Sequence, residues 1–87
     1  MATLVETPLR VLFFGQVAEV MGKARMIDAP ETGCTIAELR LRLAEAAGAD
    51  IMLRPGLRAA IDKQVVGEDA IVLPGAEVAF FSLFSGG

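Results

Sequence analysis

One four-residue string, Thr35-Ile36-Ala37-Glu38, fixes where a helix must begin in this chain. A threonine followed three residues later by a glutamate forms a capping box. Its hydroxyl accepts a hydrogen bond from a helix amide, and the carboxylate reaches back to the threonine amide. Downstream, Ile36, Leu39, Leu43 and Ala46 or Ala47 recur at three- and four-residue spacing, with Arg40, Arg42 and Glu45 off that stripe and Gly48 as the natural terminator. This is the one substantial helix, and its apolar stripe must be covered by something else in the chain.

The remaining apolar runs are short and suit strands. Leu9 to Phe14 is β-branched, aromatic or aliphatic and reads as a first strand. Val17, Val20 and Met21 then recur at helical spacing before Gly22, which predicts a short helix with a glycine cap, and Arg25 to Ala29 returns as a second strand. Residues 49–57 contain Arg54-Pro55-Gly56, which interrupts any ladder and predicts a connecting loop. Leu57 to Ile61 and Gln64 to Val66 read as strands around a turn at Asp62-Lys63. Pro74-Gly75 turns the chain into a last strand, Glu77 to Phe81.

One helix laid across a mixed sheet is an α+β arrangement that leaves the other sheet face free. Side-chain alternation divides the two faces. Leu9, Val11 and Phe13 share one side of the first strand, and Val78 and Phe80 share one side of the last. Because Arg10 and Glu77 belong on the open side, Leu12, Phe14, Ala79 and Phe81 go with them. The expected result is an aromatic patch with a polar border, suited to docking a partner.

Composition narrows the function classes. Eighty-seven residues are expected to make a single domain, 1–87, able to bury only about 60 to 65% of its unfolded surface. A hydrophobic fraction of 54% argues for an ordered core. Eight scattered basic and eleven acidic residues give a net charge of −3, which gives nucleic-acid binding little support. No apolar run approaches the length of about 20 residues that spans a bilayer, and no signal pattern opens the chain, so a cytoplasmic protein without membrane contact is expected. With no histidine and a single cysteine, Cys34, a zinc site of the usual ligands is excluded, and Cys34 reads as a small residue near a helix start. Glu68 and Asp69, next to Gly67, read as a solvated turn rather than an acid–base pair.

The sequence closes with Ser85-Gly86-Gly87, soon after the apolar run Val78 to Phe81. Two residues without a Cβ make an extended tail, residues 82–87, thin enough to thread a narrow pocket, with the terminal carboxylate as the polar group at its tip. Such a terminus reads as a substrate, with Gly87 as the reacting residue and Ser85 and Gly86 as the threading segment.

The strand order, the segment Val11-Leu12-Phe13-Phe14-Gly15-Gln16-Val17-Ala18-Glu19 and the segment Gly75 to Phe81 followed by Ser85-Gly86-Gly87 together resemble the small, sulfur-carrying subunit of molybdopterin synthase, a ubiquitin-like β-grasp family. The resemblance spans nearly the whole chain. One departure is Ser82-Leu83-Phe84, where the family usually carries prolines.

The resemblance implies sulfur carriage. A ubiquitin-activating-type adenylyltransferase would use ATP and magnesium to convert the Gly87 carboxylate to an acyl-adenylate, which a persulfide donor would turn into a thiocarboxylate, a 1-thioglycine. The charged tail would then enter the large subunit of molybdopterin synthase and give sulfur to a cyclic pyranopterin precursor in molybdenum cofactor biosynthesis. The assembled enzyme would be a heterotetramer with acid–base side chains supplied by the large subunit, so the isolated chain would bind no cofactor and would not itself be an enzyme. Partner contacts implied by the family fall on Val65 and Phe81, and Leu12, Phe14 and Phe84 extend them. The alternatives are a carrier serving thiamine biosynthesis or protein modification, and a β-grasp interaction module with an incidental Gly-Gly.

Overall fold

The computed structural model describes residues 8–82. In chain order these form β1 (Leu9–Phe13), α1 (Gln16–Met21), β2 (Ala24–Ile27), β3 (Cys34–Thr35), α2 (Ile36–Ala47), a 3-10 turn (Asp50–Leu53), β4 (Leu57–Ile61), β5 (Gln64–Val66), β6 (Ile71–Val72) and β7 (Glu77–Ser82). Five strands make one mixed sheet in the order β2-β1-β7-β4-β5, with β1 and β7 parallel and the other neighbours antiparallel. A small antiparallel ribbon joins β3 to β6.

The helix begins where its capping box requires. The Thr35 amide donates to Glu38 Oε1 at 2.8 Å and the Glu38 amide donates to Thr35 Oγ1 at 3.1 Å. The bond from the Thr35 amide, and then that from its hydroxyl, hold the Glu38 carboxyl below the usual carboxylate range. A lowered carboxylate pKa gives stability that is present above its unfolded value and lost as pH falls through the folded one. At the other end Gly48 takes a left-handed φ of 63°, and its amide reaches Ala44 O and Glu45 O.

The core lies between α2 and one face of the sheet. Ile36, Leu39 and Leu43 from the helix join Leu9, Val11, Phe13, Val78 and Phe80 in a single buried cluster. The Phe13 and Phe80 rings, paired across β1 and β7, stack with centroids 6.1 Å apart. Asp62 and Lys63 both have positive φ, as a tight two-residue hairpin turn requires. Asp62 also ties that hairpin to β7, its carboxylate accepting from the Glu77 amide at 3.0 Å.

Several sequence expectations need correction. The first strand stops at Phe13, because the chain bends at Gly15 to enter α1, although the Phe14 amide still donates to Phe80 O at 3.0 Å. The second strand runs Ala24–Ile27 rather than from Arg25 to Ala29. The last strand continues through Ser82, so Ser82 belongs to the sheet and not to the tail. Part of the expected loop 49–57 is the 3-10 turn, whose Ile51 and Met52 enter the core. The ribbon of β3 and β6 was not anticipated, since each strand has only two residues. Gly33 precedes it at a φ of 82°, where an added Cβ would lie 2.6 Å from Val72 O.

The largest correction concerns Arg40. It lies off the apolar stripe in sequence yet is only 8% exposed. Its guanidinium donates to Met52 O and Arg54 O, both at 2.6 Å, and to Glu68 Oε2 at 2.7 Å. The turn at Glu68 is therefore solvated only in part, because its carboxylate closes this clamp. A buried cation held by two carbonyls and a carboxylate leaves several unmatched acceptors when it is removed. Arg40→Ala is expected to cost roughly 2 to 4 kcal/mol, and exposed Arg42→Ala under about 0.5 kcal/mol, measured by denaturant unfolding. Equal effects at the two positions would contradict the clamp.

Candidate functional site

Cross-strand register builds the open face of the sheet row by row. Arg10 stands opposite Glu77, and their side chains approach to 4.0 Å. The next row runs Leu12, Ala79, Ala60 and Val65 across β1, β7, β4 and β5. Two alanines at its centre, flanked by leucine and valine, make a shallow apolar saddle. Beyond it Phe81 pairs with Arg58 across β7 and β4, and Phe14 follows β1 on the same side.

Phe14 is 53% exposed and Val65 is 68% exposed, while Leu12, Ala79 and Phe81 are half-buried. The sequence parity thus places Leu12, Phe14 and Phe81 together, and Val65 joins them from the neighbouring hairpin. Sequence alternation alone did not bring in Ala60 and Arg58; only the β4–β7 register does. Phe84, Ser85, Gly86 and Gly87 lie outside the described residues.

The face has little chemistry of its own. Among the described residues no group of three or more histidine, cysteine, aspartate or glutamate side chains could hold a metal ion. Asp69 does not share a site with Glu68, whose carboxylate is taken by Arg40. No helix among the described residues is long and apolar enough to cross a membrane. What the geometry offers is a contact surface on the strand that leads to the C-terminal glycines.

Cys34 sits apart from that surface. It is buried in β3 opposite Val72, and burial pushes its thiol up from the ordinary range, against the lowering influence of Arg42. A thiol held protonated reacts slowly, since the thiolate is the nucleophile.

Comparison with known proteins places the chain. The pattern of the ThiS family matches residues 11–87. The chain belongs to the ThiS family. Its members are ubiquitin-like sulfur carriers. Curated protein sequences give no match. Among solved structures this ThiS-family chain is similar to SAMP1 from Haloferax volcanii, with a TM-score of 0.76 and 19% identity, over 92% of this chain and 99% of that one. It is also similar to Urm1 from Trypanosoma brucei, with a TM-score of 0.69 and 20% identity over 98% and 100%. A Pyrococcus furiosus protein assigned as subunit 1 of a molybdopterin converting factor gives 0.68 and 18% over 87% and 97%. These likenesses establish the ubiquitin-like β-grasp fold.

In this ThiS-family chain, Cys34 is expected to resist alkylation in the native state and to react fully in denaturant, read by mass spectrometry. Rapid labelling of the native thiol would contradict its burial.

Proposed function

We propose that this chain is the sulfur carrier of molybdenum cofactor biosynthesis. Sulfur carriage rests on the ThiS-family match, which runs through Gly86 and Gly87, and the molybdenum acceptor is supported by the likeness to the molybdopterin converting factor subunit. The Gly87 carboxylate attacks the α-phosphate of ATP on a ubiquitin-activating-type partner, with magnesium on the nucleotide, giving an acyl-adenylate and releasing pyrophosphate. Persulfide sulfur then displaces AMP, and a thiol attacks the donor-side sulfur of the resulting acyl disulfide, leaving as a disulfide with the donor and releasing the thiocarboxylate.

Sulfur is more polarizable and more nucleophilic than the carboxylate oxygen it replaces. Held covalently, it is delivered to a pyranopterin precursor in the large subunit of molybdopterin synthase without free sulfide. Ser85 and Gly86 are the threading segment. Leu12, Phe14, Val65 and Phe81 form the docking face, with Phe84 beside them in sequence. The acid–base groups for transfer belong to the large subunit in this reading.

A second reading, carriage toward thiamine biosynthesis or protein modification, is favoured by the ThiS-family match and by the likeness to SAMP1, a small archaeal modifier protein. Both readings use Gly87 in the same way and differ in the acceptor.

Incubation with ATP, magnesium, the activating enzyme and a reduced sulfur source is expected to make the C-terminal peptide heavier by the difference between sulfur and oxygen. A chain extended past Gly87 is expected to show no such change, and an unmodified wild-type peptide would overturn the carrier reading. Phe81→Ala is expected to weaken association with the large subunit by roughly 2 kcal/mol, as a central aromatic anchor does. Calorimetric titration showing unchanged affinity would remove Phe81 from the docking face.

A further inference from the structure

Val78, Phe80 and Ser82 share one side of β7, the side on which Val78 and Phe80 enter the core, while Phe81 lies on the open side. Alternation returns to the Ser82 side at position 84, so the sequence separates Phe84 from Phe81. A cleft of about 260 Å³ opens at this end of the strand, lined by Ser82 itself and by Val17, Ile51, Pro55 and Leu57, with Arg54 as its charged member. It is mostly apolar, and the next residues of the chain after Ser82 are Leu83 and Phe84.

The volume lies below the range of about 300 to 1,000 Å³ that takes a drug-sized ligand, and suits a single large side chain. Its walls are held from within the domain. Val17, Ile51 and Leu57 belong to the buried cluster, and the Arg40 guanidinium holds Met52 O and Arg54 O, both at 2.6 Å. A seat already shaped loses little ordering entropy when it is filled.

Tethering selects the occupant. Position 84 is two residues past a residue of the lining, a span of about 7 Å. A tether that short gives an effective concentration on the order of millimolar, which a separate protein or a second copy must match from solution. No proline lies between Ser82 and Gly87 to fix φ, so the chain can turn into the cleft.

We propose that this cleft is the seat of the chain's own Phe84, which stows the C-terminal segment against its domain. With Phe84 seated, three residues remain beyond it. With Phe84 released, residues 83–87 extend as far as about 17 Å from Ser82. A partner that draws the tail into an extended form must first empty the seat. The inference concerns this chain alone and holds whichever acceptor the tail serves.

The test is nuclear magnetic resonance of the full-length chain with labelled methyl groups. Nuclear Overhauser contacts are expected between the Phe84 ring and the methyls of Val17, Ile51 and Leu57, unchanged on dilution. Phe84→Ala is expected to abolish them and to shift those three sets of methyls while leaving the open-face methyls of Leu12 and Val65 in place. Phe84→Leu is expected to retain part of the wild-type shifts, and melting temperatures check that each variant folds.

Phe84 ring resonances at the positions of a free peptide of residues 77–87, with no such contacts, would overturn the proposal. So would contacts seen only between differently labelled chains in a mixed sample, which would assign the seat to the tail of a second copy. Shifts confined to Leu12 and Val65 would place Phe84 on the open face and overturn it equally.

Discussion

The structure depends on β7 being paired on both of its edges. Parallel bonding to β1 on one side and antiparallel bonding to β4 on the other place the last strand in the middle of the sheet. Val78 and Phe80 point into the core with no exposure, and Phe80 meets Phe13 in a ring stack. Pairing β1 with β7 joins the two ends of the described chain, a long-range contact of the kind that slows folding. The described chain thus ends on the central strand of the five-stranded sheet.

Alternation then gives each side of β7 a different task. One side buries Val78 and Phe80 under α2, while the other carries Ala79 and Phe81 toward solvent beside Leu12, Phe14, Ala60 and Val65. The buried and exposed side chains of β7 thus lie on opposite faces, so a residue of the proposed docking face can be altered without opening the core. The Arg40 clamp adds a third element. It fixes the segment between α2 and β4 at the end where β7 leaves the sheet, although Arg40 itself lies on the helix.

Much of this was legible from local chemistry. The Thr35–Glu38 box, the stripe ending at Gly48 and the Asp62-Lys63 turn each specify their own geometry, and the structure reproduces them. The parity of Arg10 and Glu77 correctly assigned the open face because charge tolerates only one side of the sheet. What escaped were features decided by distant residues. Arg40 sits on the polar side of its helix in sequence, and only the arrival of Met52, Arg54 and Glu68 buries it. The two-residue strands at Cys34 and Ile71 are too short to show a period, and Ile51 and Met52 reach the core from a segment whose Pro55-Gly56 reads as a break. Ala60 joined the open-face saddle through strand register, which no single strand encodes.

In the carrier reading proposed above, the small chain presents one reactive carbonyl carbon and its partners supply the catalytic groups. The most direct test of that reading is to charge Gly87 with a heavy sulfur isotope, add the large subunit and pyranopterin precursor, and follow the isotope by mass spectrometry. Sulfur carriage by Gly87 predicts that the new sulfur in the product is heavy and that the carrier returns with an oxygen at its C-terminus. A product carrying only ordinary sulfur from solution, with the heavy atom still on Gly87, would contradict it.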